Sequence, residues 1–218
     1  MTAFAGAPRL HVLASPGEYG RWQAVVHDVA DLVNLEALLE PRPQGGDGPA
    51  EAEAILAAAA KMDGAVLVLP GGGGAAREAG PVAPRVRRVL VPFERSRAEG
   101  PVLRLLIRRA LAKDMAVEQV HVLGEDNRPA MWEGSGHHAQ EWLEELRREH
   151  QVGTALLRVR SGRTTDVLRS WAAEADLVVV EWGGKTGAER ARVLRAILAG
   201  SPPPLLLLPA AAPKTGNT

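Results

Sequence analysis

From Arg88 to Pro209 the chain alternates short apolar runs with longer stretches of helical period, and this alternation constrains the fold more than any other feature. "RVLVPF" begins the series and reads as a buried strand, and "PVLRLLIRRALAKD" then repeats its apolar residues at helical spacing. "AVEQVHVLG" returns to a strand, and "HHAQEWLEELRREH" is a helix with Trp142, Leu143 and Leu146 on one side. "TALLRVR", "TTDVLRSWAAEA", "DLVVVEW", "AERARVLRAILAG" and "PLLLLP" complete a β-α-β-α-β series. Continuous apolar strands need cover on both faces, so the pattern predicts an α/β protein with a doubly wound, open, parallel five-stranded sheet. Right-handed crossovers follow.

Before Arg88 the same logic recurs in shortened form. "DGPAEAEAILAAAAKMDGAVLVLPGGGG" lies on "VRSGRTTDVLRSWAAEADLVVVEWGG" at one fixed offset of 112 residues. Ile55 and Leu56 fall on Val167 and Leu168, Val66 to Val68 on Val178 to Val180, and Gly71 and Gly72 on Gly183 and Gly184. "PRLHVLAS" reads as a first strand and "WQAVVHDVADLVNL" as a helix. Between these blocks the first half is about 32 residues shorter than the second, which leaves no room for a full second strand-helix pair. The expected organisation is a reduced, degenerate α/β half over 1–80, a linker over 81–87, a complete domain over 88–210 and a disordered tail over 211–218.

Composition excludes several function classes. Twenty-six basic residues balance 26 acidic ones, so no global field draws in nucleic acid or an anionic membrane, and any anion site must be local. The chain has no cysteine, which removes disulfides, thiolate nucleophiles and cysteine-ligated metals. The start "MTAFAGAPRL" lacks a basic region followed by an apolar core, and "LLLLPAAA" is far short of the roughly 20 residues that span a bilayer. A cytoplasmic protein with neither nucleic acid nor membrane as partner is the expectation.

Three short motifs carry a family resemblance. "VLVPFERS" opens the complete domain, "ADLVVVEWGGKTG" lies near its end, and "PPPLLLLP" closes it. In order and spacing these resemble the universal stress protein family over roughly residues 85 to 210. "PAMWEGSGHHAQEWLEEL" is not part of that pattern. Nucleotide-binding members carry an acidic residue after the first strand and, after the fourth, a loop reading Gly, two residues, Gly, nine residues, Gly, Ser or Thr. Glycines let backbone N–H groups close on phosphate oxygens, and a helix start adds a favourable dipole.

Carried over onto this sequence, the resemblance implies a nucleotide or anion pocket around Phe93, Glu94, Leu123, Glu181, Gly183, Gly184, Lys185, Gly187 and Arg192, and the loop is incomplete in either alignment. Gly184 and Gly187 reproduce the first pair, but nine residues on stands Ile197. Aligned instead through "GKT", Glu181 takes the first glycine position; anchored on the last strand, Ala191 and Arg192 replace Gly and Ser. A carboxylate at Glu181 facing a triphosphate costs on the order of 1 kcal/mol. Lys185, Arg190 and Arg192 keep the loop locally basic. A Walker loop fails, because Val179 stands where its first glycine belongs.

The expected cofactor is therefore none, or ATP or AMP held weakly. Two function classes stand: a non-catalytic stress-response or regulatory module, or an adenine-nucleotide hydrolase or transferase of the same fold group. No catalytic residue and no metal ligand is assigned. "GGGG" at 71–74 is read as linker, His137, His138 and Glu141 as a solvated helix start, and "LRREH" and "RVRR" as solvated faces. Ser96 and Ser161 have no readable His and acid partners, and Trp132 and Trp142 are assigned to covering the sheet edge or a partner surface. The last strand would be an adhesive edge if bare. Its expected partner is "AVLVLP", giving an internal pseudo-dimer, or the last strand of a second copy, giving a homodimer.

Overall fold

The computed structural model describes residues 8–15, 17–43, 48–71, 85–94, 99–124, 136–182, 188–199 and 203–209, the side chains of 136–139 and 188–190 excepted. Its strands are β1 (Arg9–Ala14), β2 (Ala37–Pro41), β3 (Gly64–Val68), β4 (Arg88–Pro92), β5 (Ala116–Leu123), β6 (Leu156–Ser161), β7 (Leu177–Trp182) and β8 (Leu205–Pro209). The helices are α1 (Tyr19–Val33), α2 (Gly48–Ala59), α3 (Pro101–Ala112), α4 (Gly136–His150), α5 (Thr164–Ala172) and α6 (Ala188–Leu198). All eight strands join one sheet in the order β2-β1-β3-β8-β7-β4-β5-β6. Every pairing is parallel except β3 with β8.

The second half is the expected doubly wound unit, with β4 central, β5 and β6 on one side and β7 and β8 on the other. Strand alternation divides the core in two. Val89, Val91, Leu177 and Val179 join α1 and α3 on one face, with Val25, Val29, Leu103 and Ile107. Leu90, Val178 and Val180 join α2, α5 and α6 on the other, with Ile55, Leu168, Trp171 and Leu194. The repeat obeys the same rule. Val66 and Val68 lie in the cluster of Val178 and Val180, and Leu67 in the cluster of Val179, so residues paired by the 112 offset bury the same faces.

The first half differs from its sequence reading in one element. A second strand, β2, is present between α1 and α2. Among the described residues the short half has no counterpart of α4 and β6, nor of α6 and β8. β2 is an edge strand whose residues are all exposed or half-buried, so burial imposes no apolar alternation on it, and Glu40 and Pro41 obscure it further.

β3 runs antiparallel to β8, with Val66, Leu67 and Val68 opposite Leu207, Leu206 and Leu205. Leu205 to Leu208 are each at most 1% exposed. Burying each leucine is worth about 1.5–3 kcal/mol, so this junction carries a large share of the stability. β8 pairs with β7 on its other side. A homodimer through the last strand would therefore find both edges of β8 already taken. The antiparallel junction also sends the carboxyl ends of β1 to β3 to one end of the sheet and those of β4 to β8 to the other.

Candidate functional site

In an open α/β sheet a ligand sits outside the carboxyl ends of the strands, where strand order reverses. In the second half that point lies between β4 and β7, and Glu181 occupies it. β7 is apolar on both faces up to Val180, and the next residue brings a carboxylate that is only 7% exposed. Its Oε1 accepts a hydrogen bond from the backbone N–H of Gly100 at 2.8 Å. Gly100 is the N-cap of α3, with Pro101 at the first helical position. A carboxylate at a helix start satisfies an otherwise unpaired N–H and complements the dipole. Residue 100 has to be glycine for this approach, because a Cβ there would collide with Glu181 Oε1.

The residues anticipated from sequence divide into separate environments. Phe93 and Leu123 belong to one small cluster with Trp142, Leu146 and Leu157, beneath α4. The Phe93 ring stacks on His150 at 4.8 Å and tilts against His121 at 5.3 Å, so it is packed inside the protein. Glu94 is exposed, as is Arg192 on α6. Gly183, Gly184, Lys185 and Gly187 lie outside the described residues, as do Ser96, Trp132 and Gly72 to Gly74. Trp142 is 4% exposed and packs over the carboxyl ends of β4 and β5.

Sequence reasoning missed a buried polar network next to this point. Glu99 and His150, with side chains 2% and 3% exposed, face each other with Oε1 and Nδ1 3.2 Å apart. Gln119 on β5 donates to Glu99 Oε1 at 3.4 Å and to the His150 carbonyl at 2.8 Å, and accepts from the Val152 N–H at 2.9 Å. His121 Nδ1 lies 3.2 Å from the Phe93 carbonyl oxygen. The network ties the residue before Gly100 to the end of α4. "LRREH" thus departs from a solvated face at its last residue. The available sequence signal was the polar Gln119 within β5, beside Glu118 and two residues before His121.

The first half has its own switch point, between β1 and β3, and a side chain fills that one as well. Arg42, just past β2, donates through Nε to Glu51 Oε1 at 2.8 Å and through Nη1 to the carbonyl of Leu69. Its side chain is 7% exposed. Gly71 lies against the guanidinium, where a Cβ would stand 3.3 Å from Cζ. Among the described residues no group of three His, Asp or Glu could hold a metal ion, and no helix is long and apolar enough to cross a membrane.

A mostly parallel, doubly wound sheet with alternating helices defines the class: a Rossmann-like α/β protein. The model of the universal stress protein family matches residues 85–209, more than half of the chain. The chain belongs to that family, and a universal stress protein-like function goes with membership. No curated protein sequence matches the chain. Among solved structures it is similar to a functionally unknown protein of Pseudomonas aeruginosa PAO1, at 11% identity and a TM-score of 0.47, over 93% of this chain and 82% of that one. A putative universal stress protein of Pseudomonas aeruginosa UCBPP-PA14 is 12% identical with a TM-score of 0.46, over 93% and 83%. A universal stress protein of Archaeoglobus fulgidus is 13% identical with a TM-score of 0.43, over 94% and 87%.

Proposed function

We propose that this chain is a non-catalytic regulatory module of the universal stress protein family, whose two halves form an internal pair and whose nucleotide site is closed by its own side chains. The observation that carries this reading is the hydrogen bond from the Gly100 N–H to Glu181 Oε1. The carboxylate puts negative charge at the helix start where phosphate would otherwise be favoured, and a triphosphate brought there meets repulsion in a site of low dielectric. The exposed Arg192 at the position of the family's final Ser or Thr supports the same reading. A hydrolase or transferase would need paired acid and base groups facing a substrate. The buried Glu99–His150 pair faces the core instead.

Calorimetric titration with magnesium ATP tests the proposal. The expected dissociation constant is weaker than about 100 μM, and Glu181→Gly should tighten it by about tenfold, the equivalent of 1.4 kcal/mol. Low-micromolar or tighter binding by the unaltered chain overturns the reading, as does steady ATP turnover that is lost on Glu94→Ala.

A further inference from the structure

The two outer edges of the sheet differ in a way that the fold does not require. β2 ends in Pro41, followed by Arg42 and Pro43, and proline has no N–H to offer a further strand. β6 at the other edge is six residues long and contains no proline. No described strand pairs with its outward side. Its side chains are disposed in a regular array. Arg158 and Arg160 stand opposite Val120 and Val122 of β5, so both project from the face that carries α5, and Leu156 precedes them on that face. Leu156 is 49% exposed.

Among the described residues the charge on this edge is only partly paired. Arg158 shares Glu118 with Arg88, at 3.4 Å each. Arg160 is exposed, as is Arg163 two residues past the strand, and neither guanidinium makes a hydrogen bond or ion pair among the described residues. Arginine on an edge deters pairing with a neutral strand. The same spacing of about 6.6 Å between alternate residues matches carboxylates at every second position of an extended peptide.

We propose that the outer edge of β6 is a docking site for an acidic peptide of a protein partner, which adds as a ninth strand. Backbone hydrogen bonds to β6 supply affinity, carboxylates facing Arg158, Arg160 and Arg163 supply selection, and an apolar residue covers Leu156. Nucleic acid would use the charge but gain nothing from the backbone edge, and no aromatic side chain is interleaved with these arginines. The site stands apart from the strand-end crevice and does not depend on the reading given for it.

Fluorescence anisotropy with a labelled decapeptide, glutamate at every second position and threonine between, is the test. Saturable binding is expected, weakened about tenfold by Arg160→Glu with Arg163→Glu and strongly reduced between about 50 and about 300 mM salt. Neither arginine side chain holds another of the described residues, so the melting temperature of the variant should stay unchanged; Arg160→Gln offers a milder form. A glutamine version of the peptide and one with a central proline should both fail to bind. Absence of saturable binding overturns the proposal, as does equal binding by the proline peptide or by the arginine variant. Tighter binding of polyuridylate overturns it in favour of RNA. Self-association relieved by Glu36→Lys with Glu40→Lys overturns it in favour of the β2 edge of a second copy.

Discussion

Set side by side, the strand-end crevices of the two halves are both filled from within, by groups of opposite sign. Between β4 and β7 the Glu181 carboxylate accepts from a backbone N–H at the start of α3. Between β1 and β3 the Arg42 guanidinium donates to a backbone carbonyl and holds Glu51. In the complete half the filler lies at the start of α3. In the reduced half it lies on the carbonyl of Leu69, one residue past β3. The same fold therefore engages a buried charged side chain at both ends of the sheet, of opposite sign in the two halves.

The comparison breaks most completely if the halves are separated. Deleting residues 1–80 removes β1 to β3, bares one edge of β8 and strips the apolar partners of Leu205 to Leu208. It also removes the Arg109 contact to the Leu32 carbonyl and the Lys113–Asp31 pair that join α3 to α1. Size-exclusion chromatography should show dimers or aggregates, because an exposed, flat, apolar edge is a template for pairing. A well-behaved monomer after this truncation would count against the two halves forming one unit.

A smaller effect separates the halves by what only one of them contains. Among the described residues the Glu99–Gln119–His150 network has no counterpart in the first half, where no equivalent of α4 and β6 is found. His150→Ala leaves the Glu99 carboxylate buried with a single long bond from Gln119, and the expected loss is about 3 kcal/mol of unfolding free energy. Glu99→Met combined with His150→Leu should cost less than His150→Ala alone, because no charge is then stranded. Hydrogen exchange should place the loss of protection in β5 and α4 and leave β1 unchanged. Uniform loss across both halves would show that the network supports the whole sheet.

How much of this was legible in the sequence depended on burial. β7 and β8 are buried on both faces, so their apolar runs announced a parallel sheet, and the 112-residue offset worked because matched residues bury matching faces. β2 escaped because an edge strand is under no such constraint. The Glu181 contact escaped for a different reason: its partner Gly100 is 81 residues away in the chain and is brought close only by the reversal of strand order between β4 and β7. Gly100 immediately precedes the stretch read as helical from Pro101 and is its N-cap; the carboxylate it accommodates cannot be inferred from local pattern. His150 was hidden in a basic run, where Arg147, Arg148 and Glu149 outweighed the one residue that turns inward.

The smallest predicted effect sharpens the comparison at the reduced end. Arg42→Ala removes an ion pair whose acid is about one-third exposed, together with a charge-assisted bond to the Leu69 carbonyl. The exposed partner contributes little, and the carbonyl loses its donor in a partly buried place, so the expected cost is about 1–2 kcal/mol by denaturant unfolding. Arg42→Lys keeps the charge but cannot direct two donors in a fixed fork, so it should recover only part of the loss. Glu181→Gln retains an acceptor for the Gly100 N–H and should cost less than Arg42→Ala. The opposite order would mean that the carboxylate at the start of α3 holds the fold more firmly than the arginine on the Leu69 carbonyl, and that the contact in the complete half is the stronger of the two.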